Sequence, residues 1–214
     1  MKKLELKNNC YAGKLIVFEG TDGAGKTTLI SMTKKLLEDI HGSDTVLCLK
    51  QPTDLSRKTK LFQKMMYSEN HSDIDYRAVQ LLTMSDRIQH SFEVIEPALK
   101  KGKIVICDRY VYTSYVNMLA RGYTKEKWFH SVTKHIIKPD IRFLVYVNPE
   151  LAIERIKSLP EETNRYLNEE LIVKVALLFK EMALKEKFTL LNTSGHPDYA
   201  FRIVRCLLEE KGII

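Results

Sequence analysis

The sequence predicts an α/β fold, a parallel sheet covered by helices on both faces, and three observations lead there. Short apolar runs rich in β-branched residues alternate with longer amphipathic segments along all 214 residues. The first run is followed at once by a glycine-rich stretch, Gly20 to Thr27 (GTDGAGKT), and then by residues at helical spacing. Polar residues cluster after successive runs, at Gly20 to Thr27, Gln51 to Asp54 and Asp108 to Arg109, and parallel sheets gather ligands at the carboxyl ends of their strands.

Lys14 to Phe18 (KLIVF) reads as the first strand. The loop behind it fits G-x-x-x-x-G-K-[ST], a spacing that folds backbone N–H groups around phosphates while a lysine reaches their outer oxygens. That assigns Gly20, Gly23, Ala24, Gly25, Lys26, Thr27 and Thr28 to phosphate binding; a plain surface turn would leave Lys26 unexplained. TLISMTKKLLEDI continues as a helix with Leu29, Met32, Leu36 and Ile40 on its inner face. Gly42 and Ser43 stop it, and Thr45 to Leu49 forms a second strand. Pro52 ends sheet pairing, and Thr53 or Asp54 caps a short helix carrying Leu55, Leu61, Phe62, Met65 and Met66, placed to border a second ligand.

A loop, YSENHSD, leads to a cap near Asp73 and a long helix from Asp75 to Leu99, with Ala78, Leu81, Ile88, Phe92, Ile95 and Leu99 as the expected core stripe. Gln80, Thr83, Arg87 and His90 recur on another face, either as a cleft wall or as an ordinary solvated surface. Pro97 bends or ends this helix, and Lys103 to Cys107 is the third strand. Asp108 follows it, either as a Mg²⁺ ligand, direct or through water, or as a helix cap. The next helix should break at Gly122 and restart with a cap at Thr124, with Trp128 and Phe129 in the core. Ile141 to Val147 is the fourth strand, and Pro149 opens a helix running to Arg155. SLPEETNRYLNEE then breaks the periodicity. It reads as a short lid over about residues 156–168, with Arg155 and Arg165 available to close over phosphates, or as a charged surface hairpin. A helix through Met182, a fifth strand near Phe188 to Leu191 and a helix from Pro197 to Glu210 complete a single domain over residues 1–214.

The formal charge of +7 suits either nucleic-acid binding or the handling of two polyphosphates, and the scattered lysines favour the second, with no nucleic-acid partner. Cys10, Cys48, Cys107 and Cys206 form no CxxC pair, so structural roles are expected of them. His130 and His135 are five apart and would not share a helix face. MKKLELKNNC lacks the apolar segment of a secretory signal, and no apolar run approaches bilayer length, so a cytoplasmic protein without a membrane partner is expected.

A phosphate loop, a strand-end Asp-Arg pair and a basic lid suit phosphoryl transfer, in which the enzyme aligns its substrates and stabilises charge. Lys26 and the loop amides would hold the donor phosphates, Thr27 would bind Mg²⁺ with Asp108 behind it, and lid arginines would neutralise developing charge. A hydroxyl acceptor needs a base. A phosphate monoester, with a second pKa of about 6, is already ionised and needs an arginine instead, which Arg109 is placed to supply.

The blocks FEGTDGAGKTT, SDRIQHSFEVIEPALKKGKIVICDRYVYTS and NPELAIERI together resemble the thymidylate kinases, P-loop enzymes that pass phosphate from ATP to dTMP. The resemblance implies a three-layer P-loop NTPase fold with a five-stranded parallel sheet, Mg²⁺ dependence and a homodimer packed through helices. It also implies that Asp22 works near the metal and the acceptor sugar, that Arg87 meets the acceptor base and that Arg109 meets its phosphate. With glycine at position 23 the loop has no arginine of its own, which directs attention to the lid. The sequence departs from the family pattern around the acceptor. Thr83 stands where many members stack an aromatic ring on thymine, Lys50-Gln51-Pro52-Thr53-Asp54 replaces Arg-Glu-Pro-Gly-Gly, and Ser114 and Asn117 occupy the base-reading positions. The expected activity is a nucleoside monophosphate kinase acting on dTMP. The alternatives are a deoxynucleoside kinase using Asp54 as base and a nucleotide-binding relative with weak catalysis.

Overall fold

The computed structural model describes residues 1–158 and 166–214. Five strands form one parallel sheet in the order β2-β3-β1-β4-β5: β1 (Lys14–Glu19), β2 (Val46–Lys50), β3 (Ile104–Asp108), β4 (Ile141–Tyr146) and β5 (Thr189–Asn192). The three central strands are buried almost throughout, which is why their sequences are continuous apolar runs. The edge strands β2 and β5 are only partly covered. Register sets Phe18 and Lys50 level with Asp108, and Glu19 level with Leu144, so the polar strand ends meet along one edge of the sheet.

Side chains alternate between two cores, as the strand period of two requires. Ile16, Phe18, Ile106, Phe143 and Val145 pack beneath α1 (Lys26–His41) and the C-terminal helix (Pro197–Glu210). Leu15, Val17, Val105, Cys107 and Leu144 face the opposite layer. That layer holds α4 (Tyr76–His90), α6 (Val111–Ala120) and α9 (Glu169–Glu186), with α5 (Glu96–Lys100) and α7 (Lys127–Thr133) at its margin. Two short helices, α2 (Asp54–Arg57) and α3 (Lys60–Tyr67), follow β2; α8 (Pro149–Lys157) follows β4, and the C-terminal helix is α10. Among the described residues no helix is long and apolar enough to cross a membrane.

Several local expectations shift. The inner face of α1 is Leu29, Thr33 and Leu37, while Ile40 is half exposed. Thr53 caps α2, accepting from the Leu55 N–H. Asp75 rather than Asp73 caps α4, and α7 begins after Glu126 rather than at Thr124, although Gly122 does break the chain with a positive φ of 88°. Phe129 is fully buried and Trp128 packs partly against the same core. Pro97 does not end the long helix. A π-helical turn, Ser91–Ile95, precedes it and re-spaces the backbone bonds, so the proline enters as an early residue of α5.

The core stripe expected on the long helix is met at Ile95 and Leu99, which are fully buried, and at Ile88, which packs against the core, but not at Ala78, Leu81 and Phe92. Leu81 and Phe92 are 52% and 71% exposed, and Ala78 is exposed too, whereas Val79, Thr83, Met84, Asp86 and Arg87 are buried. Part of the inner side of this helix is the wall of a polar cleft, so Asp86 and Arg87 are buried along with Val79 and Met84 while Leu81 faces out. Of the lid expected over 156–168, residues 156–157 end α8 and 166–168 lead into α9; residues 159–165, Arg165 included, lie outside the described residues.

Candidate active site

The glycine loop joins β1 to α1, and its backbone can only be made by glycine at two points. Gly20 has φ 143°, and a Cβ there would lie 2.1 Å from the Val145 carbonyl oxygen; Gly23 has φ 72°, and its Cβ would lie 2.3 Å from that of Ala152. Gly25 precedes α1 in the left-handed region, and no side chain caps the first turn of that helix. Its amides are therefore available to an anion, on the positive end of a 16-residue helix. Thr27 and Thr28 in that turn are exposed. The Thr193 hydroxyl donates to the Ala24 carbonyl at 2.7 Å, tying the loop to the end of β5.

Lys26 is 7% exposed and folds back over the loop, donating to the carbonyls of Gly20 (3.2 Å) and Thr21 (2.8 Å). Burial, with the Arg109 charge second, lowers its pKa to about 8 even though Asp22, Asp108 and Glu19 favour the charged form. Asp22 pairs with Arg109, whose guanidinium also donates to the Gly20 carbonyl (3.2 Å) and the Thr113 hydroxyl (3.4 Å). Arg109 holds φ 64°, a left-handed turn that its N–H bond to the Phe18 carbonyl (2.9 Å) fixes. Burial disfavours its charge, but Asp22, Asp108 and Glu19 outweigh that and raise its pKa above the ordinary arginine value.

Glu19, which sequence reasoning missed, is fully buried at the end of β1. It accepts from the backbone N–H groups of Tyr110 (2.9 Å) and Thr113 (3.0 Å) and from the Thr113 hydroxyl, so it caps α6 from a distant strand. Burial raises its pKa, against Thr113, Arg109 and Arg87, which lower it. Asp108 is thereby free of the capping role; its Oδ1 is buried with no hydrogen-bond partner among the described residues.

A cleft runs from Thr21, Asp22 and Arg109 to an apolar floor of Phe62, Met66 and Phe179 between α3, α4, α6 and α9. Pro52, Thr83, Arg87, Ser114 and Asn117, all expected at a substrate site, line it. Gln51 stands just behind. Its side chain accepts from Arg87 Nη1 at 2.8 Å and donates to His90 at 3.1 Å, and burial holds that histidine below its ordinary pKa. Arg87 is 1% exposed and reaches Ser114 through Nε at 3.4 Å. Asp86, also missed, is 1% exposed and binds the N–H groups of Thr53 (2.8 Å) and Ser56 (3.3 Å) and the Thr53 hydroxyl (2.8 Å), fixing the start of α2. That places Arg57 on the cleft wall, held by the Pro52 carbonyl at 2.7 Å. The sequence signal was, for Glu19, a carboxylate closing an apolar strand beside the glycine loop and, for Asp86, a carboxylate adjoining Arg87.

Two expectations change. Arg155 lies in α8 rather than in a lid and donates to the carbonyls of Gly23 (3.3 Å) and Thr193 (3.0 Å), bracing the glycine loop. Asp54, the candidate base for a hydroxyl acceptor, is exposed and paired with Lys58 at 2.8 Å, away from the cleft.

Comparison with known proteins accords with this geometry. The family profile described as thymidylate kinase matches residues 18–200. A probable thymidylate kinase of Pyrococcus abyssi is 36% identical over 182 residues, covering 80% of this chain and 87% of its own. This chain belongs to the thymidylate kinase family. The thymidylate kinase of Mesoplasma florum is 31% identical over 204 residues, 92% of this chain and 95% of its own. The crystal structure of thymidylate kinase from Ehrlichia chaffeensis shares the fold, with a TM-score of 0.67 at 22% identity over 92% of this chain and 98% of that one. The thymidylate kinase family is one of P-loop nucleoside monophosphate kinases, so the chain is a nucleotide-binding transferase.

Proposed function

We propose that this chain transfers the γ-phosphoryl group of ATP to the phosphate of a nucleoside monophosphate, with dTMP the favoured acceptor. The carboxylate inventory of the cleft carries this reading. Among the described residues lining it, Asp22 is the one acidic side chain, and it is paired with Arg109. A hydroxyl acceptor would lack a free base there, whereas an ionised phosphate meets Arg109 and Arg57. The relatives' names add thymidine monophosphate as the acceptor they use.

In this reading the amides of Gly23 to Thr28 and the Lys26 ammonium hold the donor phosphates, and Lys26 leaves the Gly20 and Thr21 carbonyls to do so. Arg109 turns the acceptor phosphate toward the loop, and Arg165, which lies outside the described residues, is the arginine the sequence offers to neutralise charge on the transferred group. Arg155 keeps the loop carbonyl of Gly23 turned away from the anion. Thr27, Asp108 and Asp22 offer hard oxygen donors, and the orphaned Asp108 Oδ1 fits a Mg²⁺ ion held directly or through water. When bound, Mg²⁺ screens the phosphate charges against one another.

With ATP and Mg²⁺ supplied, ADP should form with dTMP and not with thymidine. Formation with thymidine alone would establish the nucleoside kinase, and ATP binding without turnover a catalytically weak relative. Arg109→Ala is expected to raise KM for dTMP and lower kcat, together costing about 10³-fold in kcat/KM, with KM for ATP within about threefold of wild type. A variant impaired only toward ATP would place Arg109 on the donor side. The exposed Leu81 and Phe92 on one helical face support a homodimer packed through that face. Sedimentation should show a dimer that Phe92→Asp dissociates; a monomeric wild type would contradict it.

A further inference from the structure

We propose that Arg121 reads the acceptor base by donating to its ring carbonyl oxygens, and that Asn117 holds Arg121 in position rather than touching the base. The inference rests on the monophosphate kinase reading above. Asn117 lines the cleft, yet each end of its amide already holds a partner inside the protein. Nδ2 donates to the Thr113 carbonyl at 2.9 Å, and Oδ1 accepts from Arg121 Nη1 at 2.8 Å. The opposite amide orientation would turn an NH₂ toward a guanidinium, two donors face to face, so the arginine fixes the assignment.

Arg121 Nη1 also donates to the Asn117 carbonyl at 3.2 Å, and its guanidinium carbon lies 4.1 Å from the centre of the Tyr76 ring, itself buried. One end is thus clamped and the group rests on a rigid aromatic surface. Its Nε and Nη2 have no acceptor among the described residues, and the side chain lines the same cleft as Arg87 and Arg109. The nearby Thr83 hydroxyl is already committed to Gln80, at 3.1 Å to its carbonyl and 3.3 Å to its side chain. Beside Arg87, a pre-positioned guanidinium is thus available to meet a base at this end of the cleft.

An arginine donates and never accepts. Arg87 has the same one-sided chemistry, so two donor sets line the base end of the cleft. Thymine and uracil carry two ring carbonyls and satisfy both. Cytosine carries one carbonyl and an amino group, which would confront a donor, and adenine carries none. Among the pyrimidines, this pair of donor sets therefore favours a diketo base.

The test is kcat and KM for dTMP, dUMP and dCMP in the wild type and in Arg121→Ala, Arg121→Lys and Asn117→Ala. Arg121→Ala should raise KM for dTMP about 10- to 100-fold with kcat within about threefold, and lower the dTMP to dCMP ratio of kcat/KM at least about tenfold. Arg121→Lys, which keeps the charge and loses the fork, should lower that ratio similarly, and Asn117→Ala should do so to a lesser degree. A purely structural role would lower melting temperature and slow all acceptors alike, leaving the ratio unchanged, and would overturn the proposal. So would a ratio that collapses in Asn117→Ala while Arg121→Ala keeps it. A wild type that phosphorylates no monophosphate would instead refute the kinase reading beneath.

Discussion

Lys26→Ala is expected to lower phosphoryl transfer by about 10³-fold or more while the fold survives. One preorganised donor at a developing charge is worth about 10² to 10³ in rate, and this one also carries a full positive charge in a water-poor loop. The native lysine is held ready. It is 7% exposed and satisfied by two backbone carbonyls, so its removal leaves acceptors that water can reach once the side chain is gone. The pKa of about 8 adds a pH signature. Below that value the free enzyme presents an ammonium; above it the loop presents a neutral amine, so kcat/KM for ATP should be flat up to about pH 7.5 and fall with rising pH beyond 8. The linkage to folding has the opposite sign. A lysine whose folded pKa is depressed gives stability that is present above its unfolded pKa and lost as pH falls through about 8. Steady-state rates from pH 6 to 9.5 check both parts; a Lys26→Ala variant within tenfold of wild type, or a profile flat to pH 9.5, would remove Lys26 from the donor site.

Glu19→Ala is expected to be the most damaging single truncation to stability. It strips the backbone N–H groups of Tyr110 and Thr113 and the Thr113 hydroxyl of their shared acceptor, and removes a buried negative charge facing Arg109 and Arg87, leaving them to Asp22 and Asp108 and to Asp86. Breaking a buried network of this kind costs about 3–5 kcal/mol, or a fall in Tm of about 10 °C for a chain of this length. Glu19→Gln keeps an oxygen for the two amides and removes a charge that burial disfavours, so its loss should be less than half as large. Because α6 carries Arg109 at its entrance, the alanine variant should also raise KM for the acceptor. Thermal melts of both variants decide the matter: an alanine variant melting within about 2 °C of wild type would mean that α6 needs no cap from β1.

What the sequence made legible was whatever short-range spacing determines. The glycine loop could be read because its turn tolerates almost no other residues at Gly20 and Gly23. The strands could be read because central parallel strands are apolar on both faces, and three of them moved by a single residue, to Val46–Lys50, Ile104–Asp108 and Thr189–Asn192. Helix faces were harder. Hydrophobic periodicity assumes that the inside is apolar, and α4 departs from that assumption in part, with Asp86 and Arg87 buried beside the cleft and Leu81 turned outward, as is Phe92 in the π-helical turn that follows. Long-range partners were not legible at all. Glu19 looks like the polar end of a strand until Tyr110 and Thr113, some ninety residues later, are brought against it. Asn117 reads as a base contact until Arg121, one helical turn on, takes its oxygen. Asp54 reads as a base until Lys58 takes its carboxylate.

The central claim is that an anion seated beside Arg109 receives the terminal phosphoryl group of a nucleotide lying along the glycine loop. Phosphorus NMR of the purified chain with Mg²⁺, ATP and dTMP follows every phosphorus atom in that exchange. The predicted spectrum shows the dTMP resonance giving way to the two coupled resonances of dTDP, one equivalent for each ADP formed. ADP accompanied by inorganic phosphate, with dTMP left intact, would contradict it.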